Sequence, residues 1–117
     1  HGVGYFLNVH EGPHAISKGN TVNLREGMIV SNEPGYYEKN NFGIRIENLI
    51  YVKKDKKNRI FDNLTMAPID KDLIDLKILN KNETNWINNY HQKVFNNLNK
   101  FMNKKESLEL RKACSTI

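Results

Sequence analysis

The sequence predicts an α+β fold, because residues 1–67 are patterned as strands and residues 68–117 as helices. Apolar residues alternate with period two in residues 1–9 and 42–52, and Gly and Pro interrupt the segments between them. After residue 68 the apolar residues recur at helical spacing instead. A run of strands followed by a run of helices is typical of α+β proteins. We expect two parts, the helical part packing on the strand-rich one.

The strand-rich part contains four predicted strands and one long loop, residues 14–27. In the first strand Gly2 and Gly4 lack side chains on one face, which permits close approach of another backbone or a ligand. In the third strand Glu47 is placed mid-strand, with apolar residues on both faces. The predicted strands are residues 1–9, 28–33, 42–52 and 60–66, with a polar hairpin connection at residues 55–59.

The helical part contains two predicted helices and a short third one. Asp70 or Asp72 is a suitable cap for a first helix that ends near Leu79. The second helix, residues 83–104, carries a large apolar residue at every fourth position: Trp86, Tyr90, Val94, Leu98 and Met102. Residues 106–113 form one or two further helical turns.

Composition excludes several classes of protein. The chain has 117 residues, a net charge of +5 and one cysteine, so one domain with a modest core and no disulfide framework is expected. The lysines are scattered and no basic run alternates with aromatic residues, which argues against nucleic-acid binding. No run approaches the roughly 20 apolar residues of a membrane span. A cytoplasmic location is expected.

Two histidines and two glutamates are the candidates for chemistry. Glu33 ends an apolar strand just before Pro34, and Glu47 would be costly in a buried strand unless it is paired or bound to a metal. Taken alone, Glu47 also allows a buried ion pair with Arg45. Together with His1, the carboxylates form a donor set that suits manganese, cobalt or zinc.

Three motifs give the chain a close resemblance to the pita-bread metallopeptidases. They are residues 1–13 (HGVGYFLNVHEGP), 31–38 (SNEPGYYE) and 42–48 (FGIRIEN). Within that family the chain resembles the aminopeptidase P group, because residues 68–70 (PID) and 86–91 (WINNYH) are similar to the C-terminal extension of that group. The resemblance implies a curved antiparallel sheet flanked by helices, of which only the C-terminal part is present. It also implies release of an N-terminal residue from peptides whose second residue is proline.

The resemblance assigns a role to each candidate residue. His1, Glu33 and Glu47 match metal ligands, and Glu47 matches the carboxylate that bridges two ions, most readily Mn²⁺, with Zn²⁺ or Co²⁺ as alternatives. Glu33 also matches the general base for the attacking water. His10 matches the histidine that binds substrate, and Arg45 matches the residue that supports the metal-bound carboxylates.

Two aspartate ligands of the family have no counterpart in this chain. We expect an earlier segment of the protein to supply them, and the 117-residue chain to be inactive alone. A peptide substrate and a homodimer are the expected partners. Two alternatives stay open: a prolidase-type dipeptidase, which the tail motifs disfavour, and a pita-bread binding module that has lost its metals.

Several other residues attract attention without a predicted catalytic role. His14 is expected in a surface loop, and His91 in packing or at a dimer surface. Tyr36 and Tyr37 either line the substrate pocket or pack over the turn. Trp86 is expected to anchor the long helix in a core or interface. Cys114 has no nearby base in the sequence and is not expected to act as a nucleophile.

Overall fold

A computed structural model describes residues 1–4, 6 and 8–117. The chain forms two compact units, His1–Thr65 and Met66–Ile117. The first contains the strands and the second contains the helices, so the predicted order of strands before helices is confirmed.

The first unit is built on a three-stranded antiparallel sheet and a smaller two-stranded one. In the larger sheet β4 is central, with β1 and β5 on its two sides, and β2 pairs with β3 in the smaller sheet. Val30, Ile50 and Val52 are buried and form the apolar core of this unit. The strands are β1 (Ile29–Asn32), β2 (Gly35–Tyr37), β3 (Gly43–Arg45), β4 (Asn48–Asp55) and β5 (Asn58–Asn63).

The predicted strand over residues 42–52 is wrong in one respect, because the structure divides it into β3 and β4. The chain changes pairing partner there: β3 pairs with β2, whereas β4 pairs with β1. Between them the Ile46 N–H donates to the Pro34 carbonyl at 3.2 Å. The alternation therefore predicts the buried face correctly within β4, but Ile44 and Ile46 are 43% and 46% exposed.

The predicted first strand is reduced to a single bridge in the residues that the structure describes. Gly2 lies opposite Val30, and the Val3 N–H donates to the Ile29 carbonyl at 3.1 Å. The Gly2 carbonyl accepts from Glu11 at 3.0 Å, so the chain turns back on itself. Tyr5 and Leu7 lie outside the described residues.

Three further predictions concern the loop, the hairpin and the return strand. Residues 14–27 contain neither helix nor strand, as predicted. The hairpin turn is Lys56-Lys57, with Asp55 opposite Asn58, so the polar connection is confirmed. The return strand begins and ends earlier than predicted, because β5 already pairs at Asn58 and ends at Asn63.

The second unit contains two α-helices, α1 (Lys81–Leu98) and α2 (Lys104–Ala113). Each begins with a capping box, in which an Asn side chain and a Glu three residues later satisfy the first free N–H groups: Asn80 with Glu83, and Asn103 with Glu106. The predicted helix over residues 83–104 is too long, because Met102 is extended and Asn103 starts a new helix. Within the described residues, neither helix has the length and apolarity needed to cross a bilayer.

The predicted helix at residues 70–79 is wrong. Asp70 does act as a cap, but of a short 3₁₀ helix, Lys71–Leu73. The Asp75 carboxylate then accepts from the Lys77 N–H at 2.9 Å. Short acidic side chains that bond nearby backbone offer the chain an alternative to helix, and that alternative wins here.

One face of α1 forms the core of the second unit. Ile87, Tyr90 and Val94 are buried on it, and the Tyr90 hydroxyl donates to the Ala67 carbonyl at 2.8 Å. Trp86 is 51% exposed and stacks on Tyr90 with ring centroids 5.5 Å apart. Trp86 therefore does not fill the core of this unit, and its place in an interface stays a prediction.

His91 also lies in this core, fully buried. Its Nε2 accepts from the Ile69 backbone N–H at 3.0 Å, so this nitrogen carries no proton in the neutral ring. Burial, and secondarily the nearby Lys71 ammonium, lower the pKa of His91 below its usual value. The expectation of a packing role is confirmed.

This buried histidine makes the second unit sensitive to acid. The unfolded chain takes up the His91 proton near pH 6.5, whereas the folded chain does so only at lower pH. The contribution of His91 to the free energy of unfolding is therefore complete above about pH 6.5. It falls as pH drops toward the lower folded pKa, by at most about 1.4 kcal/mol per pH unit. Urea titrations followed by Trp86 fluorescence measure this fall, and His91→Gln removes it. A slope that persists in His91→Gln would contradict this origin.

Cys114 ends α2, where its N–H donates to the Leu110 carbonyl at 2.9 Å. Partial burial raises the pKa of its thiol, and Lys71 and the Phe95 backbone offset this only in part. Because the thiolate is the reactive form, we expect iodoacetamide to modify the folded chain several-fold more slowly than the unfolded one near neutral pH. Mass spectrometry measures both rates. Equal rates would show that the fold does not suppress the thiol.

Candidate metal centre

His1, Glu33 and Glu47 meet at one end of the larger sheet. One potential ligand atom from each lies within 4.8 Å of the other two. His1 Nε2 and Glu33 Oε1 lie 3.1 Å apart. The sequence places these residues up to 46 positions apart, so the convergence is a property of the folded chain.

Antiparallel pairing brings the two glutamates together. β1 and β4 end their register with Asn32 opposite Asn48. Glu33 immediately follows β1, and Glu47 immediately precedes β4. Both glutamates therefore lie at the same end of this strand pair.

His1 reaches the carboxylates through backbone bonds to β1. Its carbonyl accepts from the Ser31 N–H at 2.8 Å, and the adjacent Gly2 forms the bridge to Val30. The imidazole Nδ1 lies 2.8 Å from the Gly2 carbonyl. A carbonyl can only accept, so Nδ1 carries the proton and Nε2 keeps its lone pair toward Glu33 in the neutral ring. Such a bond on the second nitrogen is the usual way proteins orient a metal-binding histidine.

The spacing of these atoms fits a shared divalent ion. Two atoms that each lie about 2.1 Å from an ion are separated by roughly 3.0 to 3.4 Å at octahedral or tetrahedral angles. The 3.1 Å between His1 Nε2 and Glu33 Oε1 falls in this range. One imidazole and two carboxylates form a donor set suited to manganese, zinc or cobalt.

Glu47 differs from its expected setting. It lies just before β4 and is exposed, not buried in mid-strand. The Ser31 hydroxyl donates to Glu47 Oε1 at 2.7 Å. Glu47 is therefore not a buried carboxylate that needs a partner, and this expectation from the sequence is wrong.

Arg45 bonds Glu33, so the pair considered between Arg45 and Glu47 is also wrong. Its Nη1 donates to Glu33 Oε2 at 2.8 Å, and its Nε donates to the Tyr37 hydroxyl at 2.7 Å. The hydrogen bond to Tyr37 is the main reason that the pKa of Arg45 is raised above its usual value, and the charges of Glu33 and Glu47 add to this effect. One Glu33 oxygen thus faces Arg45 while the other faces His1. Arg45 fixes the orientation of the Glu33 carboxylate.

His10 lies beside the cluster on its solvent side. Its ring centroid is 4.1 Å from that of His1, with the ring planes inclined at 42°, and the residue is exposed. A side chain in this position can reach a bound molecule without being a ligand itself. All five predicted site residues therefore lie in one contiguous region of the first unit.

Three supporting contacts were not predicted from the sequence, those of Ser31, Tyr37 and His14. Ser31 precedes Glu33 by two positions, a spacing that places both on one side of a strand, and this signal was available. The hydroxyl of Tyr37 joins the Arg45 network instead of simply packing over the turn. His14 is half-buried, and its Nε2 lies 2.9 Å from the Ile29 carbonyl. His14 therefore lies in the predicted loop, but its side chain is partly buried and makes a contact that was not predicted.

The chain belongs to metallopeptidase family M24, because two models of that family together match most of its length. The model of metallopeptidase family M24 matches residues 1–54, and the model of the C-terminal region of peptidase M24 matches residues 60–117. The family resemblance read from the three sequence motifs is thus confirmed.

Individual relatives are Xaa-Pro aminopeptidases. The chain is 45% identical to the probable Xaa-Pro aminopeptidase P of Coprinopsis cinerea, over 99% of the chain and 21% of the relative. It is 50% identical to Xaa-Pro aminopeptidase 1 of Dictyostelium discoideum, over 80% of the chain and 16% of the relative.

A solved structure gives the same result for the fold. The X-prolyl aminopeptidase of Caenorhabditis elegans, a cytosolic enzyme with a di-nuclear active site, matches with a TM-score of 0.81 and 35% identity, over 100% of the chain and 21% of that structure. The predicted pita-bread fold is confirmed. The chain spans about a fifth of the length of these relatives.

Proposed function

We propose that the protein containing this chain is an Xaa-Pro aminopeptidase, which hydrolyses the bond between an N-terminal residue and a following proline. The observation that carries the proposal is the convergence of His1, Glu33 and Glu47 within 4.8 Å. The names of the relatives supply the reaction class and substrate. In this proposal residues 1–67 are the C-terminal half of the catalytic domain, and residues 68–117 are its helical extension.

We propose that these three residues help to hold two divalent ions. Mn²⁺ is the preferred ion, and Zn²⁺ or Co²⁺ are the alternatives. Glu47 has two oxygens, as a bridging ligand would need, and His1 and Glu33 would both bind one of the ions. Three ligand residues are few for two ions, so two aspartates from an earlier segment of the protein complete the centre. When bound, paired ions polarise the scissile carbonyl and lower the pKa of a bound water toward neutrality.

The protein side chains supply the proton transfer and the orientation. Glu33 is the proposed general base for the attacking water, held by the Arg45 bond on its second oxygen. His10 is the proposed donor to the developing oxyanion, a contact whose loss typically costs on the order of a hundredfold in rate or more. A free substrate amine that approaches the metal centre would account for cleavage at the N-terminal bond.

The proposal extends to the partners and the location of the protein. We propose a homodimer and a cytoplasmic location, the latter supported by the cytosolic enzyme of Caenorhabditis elegans. Peptides with penultimate proline are the proposed partners, and neither nucleic acid nor membrane has a part in the reaction.

Metal analysis combined with peptide hydrolysis tests the proposal. The protein that contains this chain is expected to retain about two Mn²⁺ per subunit and to release arginine from Arg-Pro-Pro. Cleavage restricted to Xaa-Pro dipeptides would favour the prolidase alternative. Failure to bind metal or cleave either substrate would favour the binding module and overturn the proposal.

The chain by itself is expected to be inactive, because it supplies only part of the proposed centre. Purified residues 1–117 should release no arginine from Arg-Pro-Pro above the rate of free Mn²⁺. Co-expression with the preceding segment of the protein is expected to restore hydrolysis. Turnover by the isolated chain would show that three ligand residues suffice.

A further inference from the structure

His14 makes a specific contact with the strand that carries the metal cluster. Its Nε2 lies 2.9 Å from the Ile29 carbonyl in β1. Because a carbonyl only accepts, Nε2 is the donor. The other ring nitrogen, Nδ1, is buried and has no hydrogen-bond partner among the described residues. The Ile29 bond is therefore the polar contact that fixes the ring.

The same stretch of β1 holds the backbone of the proposed ligand His1. The Ile29 carbonyl also accepts from Val3, and the Ser31 N–H donates to the His1 carbonyl at 2.8 Å. The Ser31 side chain then donates to Glu47 at 2.7 Å. Residues 29–31 thus connect His14 at one end with two proposed ligands at the other.

The His14 ring also packs closely against Gly2. A Cβ placed on Gly2 would lie 2.8 Å from two atoms of that ring, Cε1 and Nε2, and 2.1 Å from the Glu11 carbonyl oxygen. Gly2 is buried and immediately follows His1 in the chain. The ring therefore restricts residues 1–3 on one side, while their hydrogen bonds to β1 restrict them further.

We propose that His14 is a positioning residue for the metal centre, which holds the backbone of residues 1–3 so that His1 Nε2 faces Glu33. This inference rests on the proposed function, since it takes His1 as a metal ligand. His14 itself binds neither metal nor substrate. Its effect passes through Ile29 and Gly2, and the N–H that its ring donates is the necessary feature.

A matched pair of substitutions isolates that N–H. His14→Gln keeps a donor at similar reach, whereas His14→Met has nearly the same length and shape but no donor. The full protein containing this chain is titrated with Mn²⁺ by calorimetry, and its Co²⁺ form is recorded by visible absorption. Lys18→Met, at an exposed position of the same loop, is the control.

We expect His14→Met to weaken Mn²⁺ binding by about 10- to 100-fold, the range found when a partner that orients a ligand is lost. His14→Gln should restore most of that affinity and the wild-type Co²⁺ absorption bands. Far-UV circular dichroism checks that the compared proteins are equally folded. Weaker metal binding is then not mistaken for a general loss of stability.

The outcomes separate this inference from the proposed function. Equal Mn²⁺ affinity in wild type, His14→Met and His14→Gln would overturn the role of His14 while leaving a metallopeptidase in place. Equal weakening in Met and Gln variants would also overturn it, because the donor would then be irrelevant. A wild-type protein that binds no Mn²⁺ would instead refute the proposed function and this inference with it.

Discussion

Replacing Glu47 with glutamine is expected to abolish two-metal binding. The amide keeps the shape of the side chain and an oxygen for the Ser31 hydroxyl, which donates to Glu47 at 2.7 Å, but it loses the negative charge that the proposed two-metal centre needs. Losing a partner that only orients a ligand costs about 10- to 100-fold in affinity, and losing the ligand itself should cost more. Hydrolysis of Arg-Pro-Pro is expected to fall by at least the roughly 100- to 1000-fold that the loss of a single stabilising donor costs.

Metal content after dialysis and steady-state kinetics measure both effects. Glu26→Gln is the matched control, because Glu26 is an exposed carboxylate outside the cluster and its loss should leave both quantities unchanged. A Glu47→Gln protein that retained the wild-type number of Mn²⁺ ions would exclude Glu47 as a bridging ligand.

Gly2→Ala is expected to have the second large effect. The new Cβ would lie 2.1 Å from the Glu11 backbone oxygen, which cannot rotate away as a side chain can. We expect residues 1–3 to move off β1 in response, and His1 to move with them. Overpacking of this kind costs typically about 1–3 kcal/mol in stability, and a 1 Å displacement of a reacting group can cost about a hundredfold in rate.

Thermal unfolding and kcat/KM measure these two consequences. Gly19→Ala is the control, because a Cβ at Gly19 meets nothing within 4 Å and a change within about 0.5 kcal/mol is expected at such surface positions. Wild-type activity and stability in Gly2→Ala would mean that the turn at Glu11 opens freely and that His1 is not held through Gly2.

Local patterns in the sequence were sufficient for several elements. Val30, Ile50 and Val52 are apolar positions within predicted strands, and all three are buried. The apolar face of α1 likewise contains Tyr90 and Val94. Hydrophobic periodicity succeeds for these residues because each face packs against a neighbour inside its own unit.

Element boundaries depended on competing contacts that periodicity does not contain. Residues 42–52 alternate without a break, yet pairing with two different partners divides them near Ile46. Asn103 ends one helical pattern because its side chain caps the next helix. At Asp75, a local side-chain bond replaces a predicted helix.

By itself the sequence determined the family and the identities of the candidate ligands, because three short motifs carry His1, Glu33 and Glu47 within residues 1–48. It also determined the order of strands and helices. Only the tertiary structure decided how these side chains are held: Arg45 bonds Glu33, Ser31 bonds Glu47, and His14 reaches Ile29. The physical reason is that such bonds join residues 12 to 16 positions apart, which only the folded arrangement of strands and loop brings together and which no local pattern specifies.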